Sequence, residues 1–379
     1  MEPGLSGVRD GESRALTGLR GVGALLVMCH HFYLHLQLDV HLPPMEGLLR
    51  RGYMGVDLFF VLSGFVLAMV YGPWFDGSNP GGLRLAPVFL VRRVARLWPL
   101  HAAMLLVVVL IEWRAGAPTP SLHVLLSNFA MAQAWGWSTE INTPAWSVST
   151  EFLAYLLFPL LAFVLLRSRM GVAVGLGCVV AALAICLALA PPIGAMRRGW
   201  LDIYYNYSLL PVLRCLAGFI LGMVTWRVGQ SPLVRRAFSN DWAGLVTLTA
   251  VLCFLLGQVH DLLIYALLPL LVLAFHHGRG LVWRALALGP LHRFGVLSYA
   301  VYLIHYTLLS RFPFDWTPIW EVLAIYLLVA LGLAVVAHHL IEVPGRAAFR
   351  RCGEWLLAVG MKLGPVAPAA KSPLRDGRG

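Results

Sequence analysis

Runs of about twenty apolar residues, separated by short charged breaks, constrain this chain more than any other feature. In lipid each backbone N–H and C=O must be satisfied within the protein, so such runs fold as helices that bundle together. Ten candidates centre on roughly 18–37, 54–72, 97–113, 150–167, 172–190, 208–226, 243–258, 261–276, 294–311 and 319–340. The predicted fold is all-α, a polytopic transmembrane helix bundle of about ten spans. Only 12% of the 379 residues are charged, half the share of a soluble domain. That shortage excludes a disordered chain and an ordinary soluble enzyme.

The net charge is +11, and apart from Lys362 and Lys371 every basic residue is Arg. No nucleic-acid signature accompanies it, and no nucleic-acid partner is expected. The positive-inside rule accounts for most of it. Placing Arg84, Arg92, Arg93, Arg96, Arg167, Arg169, Arg227, Arg235, Arg236, Arg279, Arg284 and Arg293 inside puts both termini in the cytoplasm of a multi-pass plasma (inner) membrane protein. Arg50, Arg51, Arg197 and Arg198 then fall outside, where recognition of an anionic acceptor is one reading. The expected organisation is a cytoplasmic segment over 1–15, a transmembrane domain over 16–346 and a partly disordered cytoplasmic tail over 347–379. Residues 86–96 alternate apolar residues with Arg and predict an amphipathic helix at the interface. Residues 121–136 are apolar but brief, and predict a re-entrant or interfacial piece. The six cysteines form no C-x-x-C pair, and the histidines lack metal-ligand spacing; neither a disulfide framework nor a metal is expected.

Ionisable groups inside lipid are costly and mark function by default. Arg20 and His31 are 11 residues apart, so they share a helix face with about 16 Å of rise between them. Gly23, Ala24 and Val27 lie between them on that face. Such small residues line a groove for a slender ligand arm, or simply let helices approach closely. Asp57, near a span end, reads as a cap or interface residue. Arg93 and Arg96 share a face at i, i+3 and suit phosphate through forked donors, or anchor the span as positive-inside charge. Ser149 and Glu151 read as a helix cap with an acid in the first turn, or as a carboxylate orienting a histidine. Ser298, Tyr302 and His305 line one face, as a polar seam or a substrate wall. Glu342-Val343-Pro344 is expected to end the last span, because Pro interrupts a helix, with Glu342 paired to an Arg.

Taken in order, these residues resemble the bacterial membrane acyltransferase-3 family, integral-membrane O-acyltransferases of glycans. The matching pieces are Arg20 with ten residues before His31, Phe59-Phe60-Val61-Leu62-Ser63-Gly64-Phe65, Arg93-x-x-Arg96, Trp146-Ser147-x-Ser149-x-Glu151, Ser298-Tyr299-x-x-Tyr302-Leu303-x-His305 and Glu342-x-Pro344. One departure is visible: the family's fourth motif carries a second acid and a Gln where Phe152 and Leu153 stand here. The resemblance implies transfer of an acyl group, most often acetyl, from acetyl-CoA to a sugar hydroxyl. The acceptor would be a glycan or lipid-linked sugar of the cell envelope. Arg20, Arg93 and Arg96 would bind the anionic donor. His31 would act as general base, with Glu151 orienting it. An acyl-histidine intermediate is the rival route. Trp146, Ser149, Ser298, Tyr302 and His305 would contact substrate. A multi-span transporter or flippase is the competing class, since intramembrane charge is equally expected there; no paired inverted halves are seen in the sequence. A non-catalytic membrane scaffold is a further class, and it gives no reason for Arg20 and His31 to share a face.

Overall fold

The computed structural model describes residues 14–35, 45–79, 81–192, 194, 199–203, 207–257, 259–311 and 318–361, with side chains to 355. Fifteen helices follow in chain order among them. These are α1 (Arg14–His35), α2 (Glu46–Arg50), α3 (Met54–Phe75), α4 (Ala86–Arg114) and α5 (Leu122–Phe129). Then come α6 (Ala145–Leu166), α7 (Met170–Leu189), α8 (Leu210–Gly229), α9 (Pro232–Phe238) and α10 (Asp241–Leu256). The last are α11 (Asp261–His277), α12 (Leu281–Leu286), α13 (Gly289–Leu309), α14 (Ile319–Ala337) and α15 (Val343–Met361). A one-turn π-helix over His338–Glu342 joins α14 to α15.

The all-helical architecture matches the sequence reading. Seven helical stretches are long and apolar enough to cross a membrane, or eight if the bent pair α9–α10 is one span. The expected ten are reached only by adding α11, with 17 residues, and the polar α13. The bend of 74° between α9 and α10 falls at Ser239-Asn240, where the Asn240 side chain accepts from the Ala243 N–H and starts a new helix. Residues such as Leu160, Val180, Val246, Leu328 and Val336 are exposed apolar groups on helix surfaces, the surface a lipid-embedded bundle presents.

Close backbone approach organises the interior. A Cβ at Gly64 of α3 would stand 1.9 Å from the Phe219 carbonyl oxygen of α8. One at Gly295 of α13 would stand 1.8 Å from the Thr17 carbonyl oxygen of α1. Only glycine permits these crossings. The residue pairs joining α1 to α13 rise together along both chains, so the two helices run parallel.

Four local expectations are overturned. Residues 86–96 are not a separate interfacial helix: α4 continues unbroken through Pro99 to Arg114. Its arginines have partners: Arg92 Nε donates to Glu354 at 3.0 Å, and those of Arg93 and Arg96 are described below. Pro344 does not stop the chain's last span; it sits in the first turn of α15, where a missing N–H costs nothing. Ser149 and Glu151 do not begin a helix, since α6 starts at Ala145. The face bearing Gly23, Ala24 and Val27 is no groove. A Cβ on Gly23 would meet the Phe59 ring at 2.9 Å, and one on Gly55 would meet the Gly23 carbonyl at 2.7 Å. These small residues serve close packing of α1 on α3.

Asp57 is neither cap nor interface residue. It accepts from Arg214 Nε at 2.9 Å and Nη2 at 2.6 Å, with both residues buried at the α3–α8 contact. The Arg214 guanidinium also stacks 5.8 Å from the Tyr53 ring and 5.7 Å from that of Trp146. Arg51, read as an outer-loop charge, donates to the Gly257 and Val259 carbonyls and faces Asp261. It ties α2 to the α10–α11 turn. Arg197 and Arg198 lie outside the described residues.

Candidate active site

A cavity of about 990 Å³, counted out to open solvent, opens among α1, α3, α4, α6 and α13. Arg20, Arg93, Arg96, Ser63, Glu151, Tyr155, Ser298 and Tyr302 line it, with Phe59, Phe60 and other apolar groups. Arginines, one carboxylate and hydroxyls thus converge inside an otherwise apolar bundle. A mostly apolar lining with a few convergent polar groups is the chemistry of a small-molecule site.

The helices hold these groups by identifiable contacts. Arg20 Nη2 donates to the Gly295 carbonyl at 3.3 Å. Arg93 donates to the Tyr71 hydroxyl at 3.0 Å and lies 5.0 Å from that ring, while its Nε is buried with no hydrogen-bond partner among the described residues. Arg96 stands 3.5 Å from Glu342. Glu342 in turn accepts from His338 Nδ1 at 2.9 Å, across the π turn. The π turn sets Glu342 against both His338 and Arg96, and π turns recur at functional sites. The expected pairing of Glu342 with an Arg is therefore present, and its partner belongs to the cavity wall. Ser63 and Tyr155 hydroxyls bond at 3.3 Å across α3 and α6. Ser147 and Tyr302 hydroxyls bond at 2.8 Å across α6 and α13.

At the far end the cavity wall reaches Phe59 and Tyr302, whose rings meet edge-on at 5.9 Å. The Tyr302 ring lies 5.7 Å from that of His305. His305 is fully buried, and its Nε2 stands 3.0 Å from His31 Nδ1. Arg20 and His31 therefore face the same neighbour, α13, from opposite ends of one helix face. The wall of this cavity includes neither His31 nor His305; Tyr302, which does line it, is in ring contact with His305. His30 turns the other way, donating from Nδ1 to the Leu49 carbonyl at 2.7 Å.

The Acyltransferase domain family matches residues 13–339. The chain belongs to that family. It resembles the acyltransferase MdmB of Streptomyces mycarofaciens, with 29% identity over 322 residues, 77% of this chain and 78% of that protein. It also resembles the putative peptidoglycan O-acetyltransferase YrhL of Bacillus subtilis, with 24% identity over 371 residues, 87% of this chain and 54% of that protein. The peptidoglycan O-acetyltransferase OatA of Listeria monocytogenes is 23% identical over 374 residues, 88% of this chain and 55% of that protein. This acyltransferase thus spans about half the length of those two relatives. No solved structure matches it.

Within this membrane acyltransferase, the sequence-predicted site residues divide into three groups. Arg20, Arg93, Arg96, Glu151, Ser298 and Tyr302 gather on the cavity wall. His31 and His305 pair beyond Tyr302. Trp146 and Ser149 stand off the cavity wall: the Trp146 ring lies over Arg214 and beside Phe60, 6.2 Å away, and Ser149 Oγ accepts from the Ala134 N–H. That last bond anchors the re-entrant segment expected over 121–136. The segment proves to be α5 followed by a turn, with Asn128 bonding Thr139 and Ile141. Asn142 closes it by donating to the Leu303 carbonyl at 3.0 Å.

The sequence reading missed two partnerships. Arg214 stood in an apolar span and went unremarked, although a charge there demands a partner. His305 was read as a substrate contact. It holds the place beside His31 that the sequence reading gave to Glu151. No group of three or more potential metal ligands occurs among the described residues.

Proposed function

We propose that this chain is an O-acyltransferase that moves an acetyl or other short acyl group from acyl-CoA to a hydroxyl of an envelope glycan or lipid-linked sugar. The observation that carries the reading is the shared face: Arg20 and His31 of α1 meet α13 at its two levels, with Arg93, Arg96 and Glu151 in the cavity at the Arg20 level. Coenzyme A is strongly anionic, and converging guanidiniums recognise phosphate through paired donors. A cytoplasmic donor then places this end inside, both termini in the cytoplasm and about ten helices across the inner membrane.

The donor's thin arm would run along the cavity toward Tyr302. A rotamer step of Tyr302 or Phe59 lets the thioester reach His31. His31 then removes the acceptor hydroxyl proton as the oxygen attacks the acyl carbon. The C–O bond forms, the C–S bond breaks, and the proton passes from His31 to the departing sulfur. The Ser147–Tyr302 hydroxyl pair is placed to donate to the oxyanion. Glu151, on the cavity wall, positions the acceptor or counters the guanidiniums. Ser298 contributes a hydroxyl beside Tyr302.

Mass spectrometry of envelope glycans from cells with and without the protein tests the reading. An added acyl mass that appears with the wild type and vanishes with His31→Ala supports it. An unchanged glycan spectrum, together with purified protein that binds no acetyl-CoA, overturns it and favours a transporter.

A further inference from the structure

The histidine bonded to His31 has a defined hydrogen-bonding pattern. His305 Nδ1 stands 2.6 Å from the Tyr302 carbonyl oxygen. A carbonyl oxygen can only accept, so Nδ1 carries the proton. In a neutral imidazole the other nitrogen is then an acceptor. That nitrogen, Nε2, lies 3.0 Å from His31 Nδ1. His31 must therefore donate from Nδ1, which leaves Nε2 as its acceptor nitrogen.

We propose that His305 is a positioning residue that selects the tautomer of His31, so that the base accepts the substrate proton at Nε2 and not at Nδ1. The proposal rests on the acyl-transfer reading above. The surroundings hold the pair firmly. Leu303 and Thr307 flank His305 on α13, and Asn142 grips both, donating to the Leu303 carbonyl and accepting from the Thr307 hydroxyl at 3.3 Å. Tyr326 of α14 donates to the His305 carbonyl at 3.2 Å. Tyr306 sets its ring edge-on to His31 at 5.3 Å.

The arrangement does the work of a triad with a second imidazole in the acid's place. In a Ser-His-Asp site the acid fixes the base's tautomer through Nδ1–H, and putting the wrong tautomer there costs about 10⁴ in turnover. Here a second imidazole, itself fixed by a main-chain carbonyl, receives that N–H. When the acceptor O–H gives its proton to His31 Nε2, the new acyl–oxygen bond forms and the thiolate leaves. The positive charge then sits on His31, whose Nδ1–H still points at His305 Nε2, and it is discharged when the sulfur takes the proton.

The test uses the full chain in lipid nanodiscs, labelled with ¹⁵N-histidine. The His31 signals are assigned by their loss in His31→Gln. Wild type is expected to show His31 protonated at Nδ1 with an acceptor-type Nε2. A wild-type His31 protonated at Nε2 overturns the proposal whatever the enzyme's activity. Thiol release from acetyl-CoA gives the second readout. His305→Phe is expected to lower kcat about 100-fold or more with the donor KM unchanged. His305→Gln offers an amide oxygen to His31 and an amide N–H to Tyr302, so it is expected to recover at least tenfold over His305→Phe. Gln no better than Phe overturns the proposal. If His305→Phe does not fold, His305→Gln is compared with wild type, and a loss of 100-fold or more overturns it. Failure of the acyl-transfer reading is seen separately, as wild type releasing no thiol.

Discussion

Arg214 and the arginines of the cavity share a side chain and a bundle, yet their environments are opposite. Arg214 is spent: both forks close on Asp57, the pair is buried, and two aromatic rings cover the guanidinium. Arg96 faces Glu342 at 3.5 Å with about a quarter of its side chain exposed, and Arg93 has a buried Nε with no hydrogen-bond partner among the described residues. A buried charge is tolerable when its partner is complete. A guanidinium such as that of Arg93, with a buried N–H left over on a cavity wall, keeps donor capacity for an anion that arrives later. The first kind of arginine holds helices together, and the second kind is the one proposed to bind the donor.

That contrast fails most visibly if its structural half is wrong. Arg214→Ala leaves Asp57 as an unpaired buried carboxylate and is expected to cost about 3–5 kcal/mol. The thermal midpoint of the detergent-purified protein should fall steeply, and an Asp57→Leu/Arg214→Leu double variant should regain part of it. An unchanged midpoint for Arg214→Ala would refute the assignment.

The binding half predicts a different signature. Arg93→Ala or Arg96→Ala should raise the acetyl-CoA KM about tenfold or more, with the thermal midpoint within a degree or two of wild type, because a charge-assisted hydrogen bond contributes about 1.5–3 kcal/mol. Titration of donor against initial rate separates this from a folding defect. Glu342→Gln keeps the hydrogen bond from His338 and removes only the charge facing Arg96. Its expected effect on the donor KM is smaller than that of removing Arg96 itself, because the guanidinium remains on the wall. The smallest change is Arg50→Ala. Arg50 makes an exposed i,i+4 pair with Glu46, and such a pair contributes about 0.3–0.5 kcal/mol. Neither KM nor thermal midpoint should move measurably.

The same contrast shows what the sequence made legible. Apolar runs announce helices because lipid leaves the backbone no other way to satisfy its hydrogen bonds. The wall residues Arg20, Arg93, Arg96, Ser298 and Tyr302 were found from helical spacing and charge. Pairings over long separations were not, because nothing local records them: Asp57 and Arg214 are 157 residues apart, and His31 and His305 are 274 apart. One local signal misled and one left two readings open. Pro344 read as a helix stop, yet it sits in the first turn of a new helix. The stripe of Gly23, Ala24 and Val27 allowed a groove or a tight crossing, because small residues mark both with the same letters. Only the position of Phe59 decides between them.

The central claim is that donor recognition and chemistry are divided between the arginine cavity and the His31–His305 pair. Measuring acetyl-CoA affinity and thiol release side by side, in wild type and His31→Ala, tests it most directly. The account predicts that His31→Ala binds acetyl-CoA as tightly as wild type while its turnover falls at least about 100-fold. Full turnover in His31→Ala, or loss of donor affinity to match the loss of rate, would contradict it.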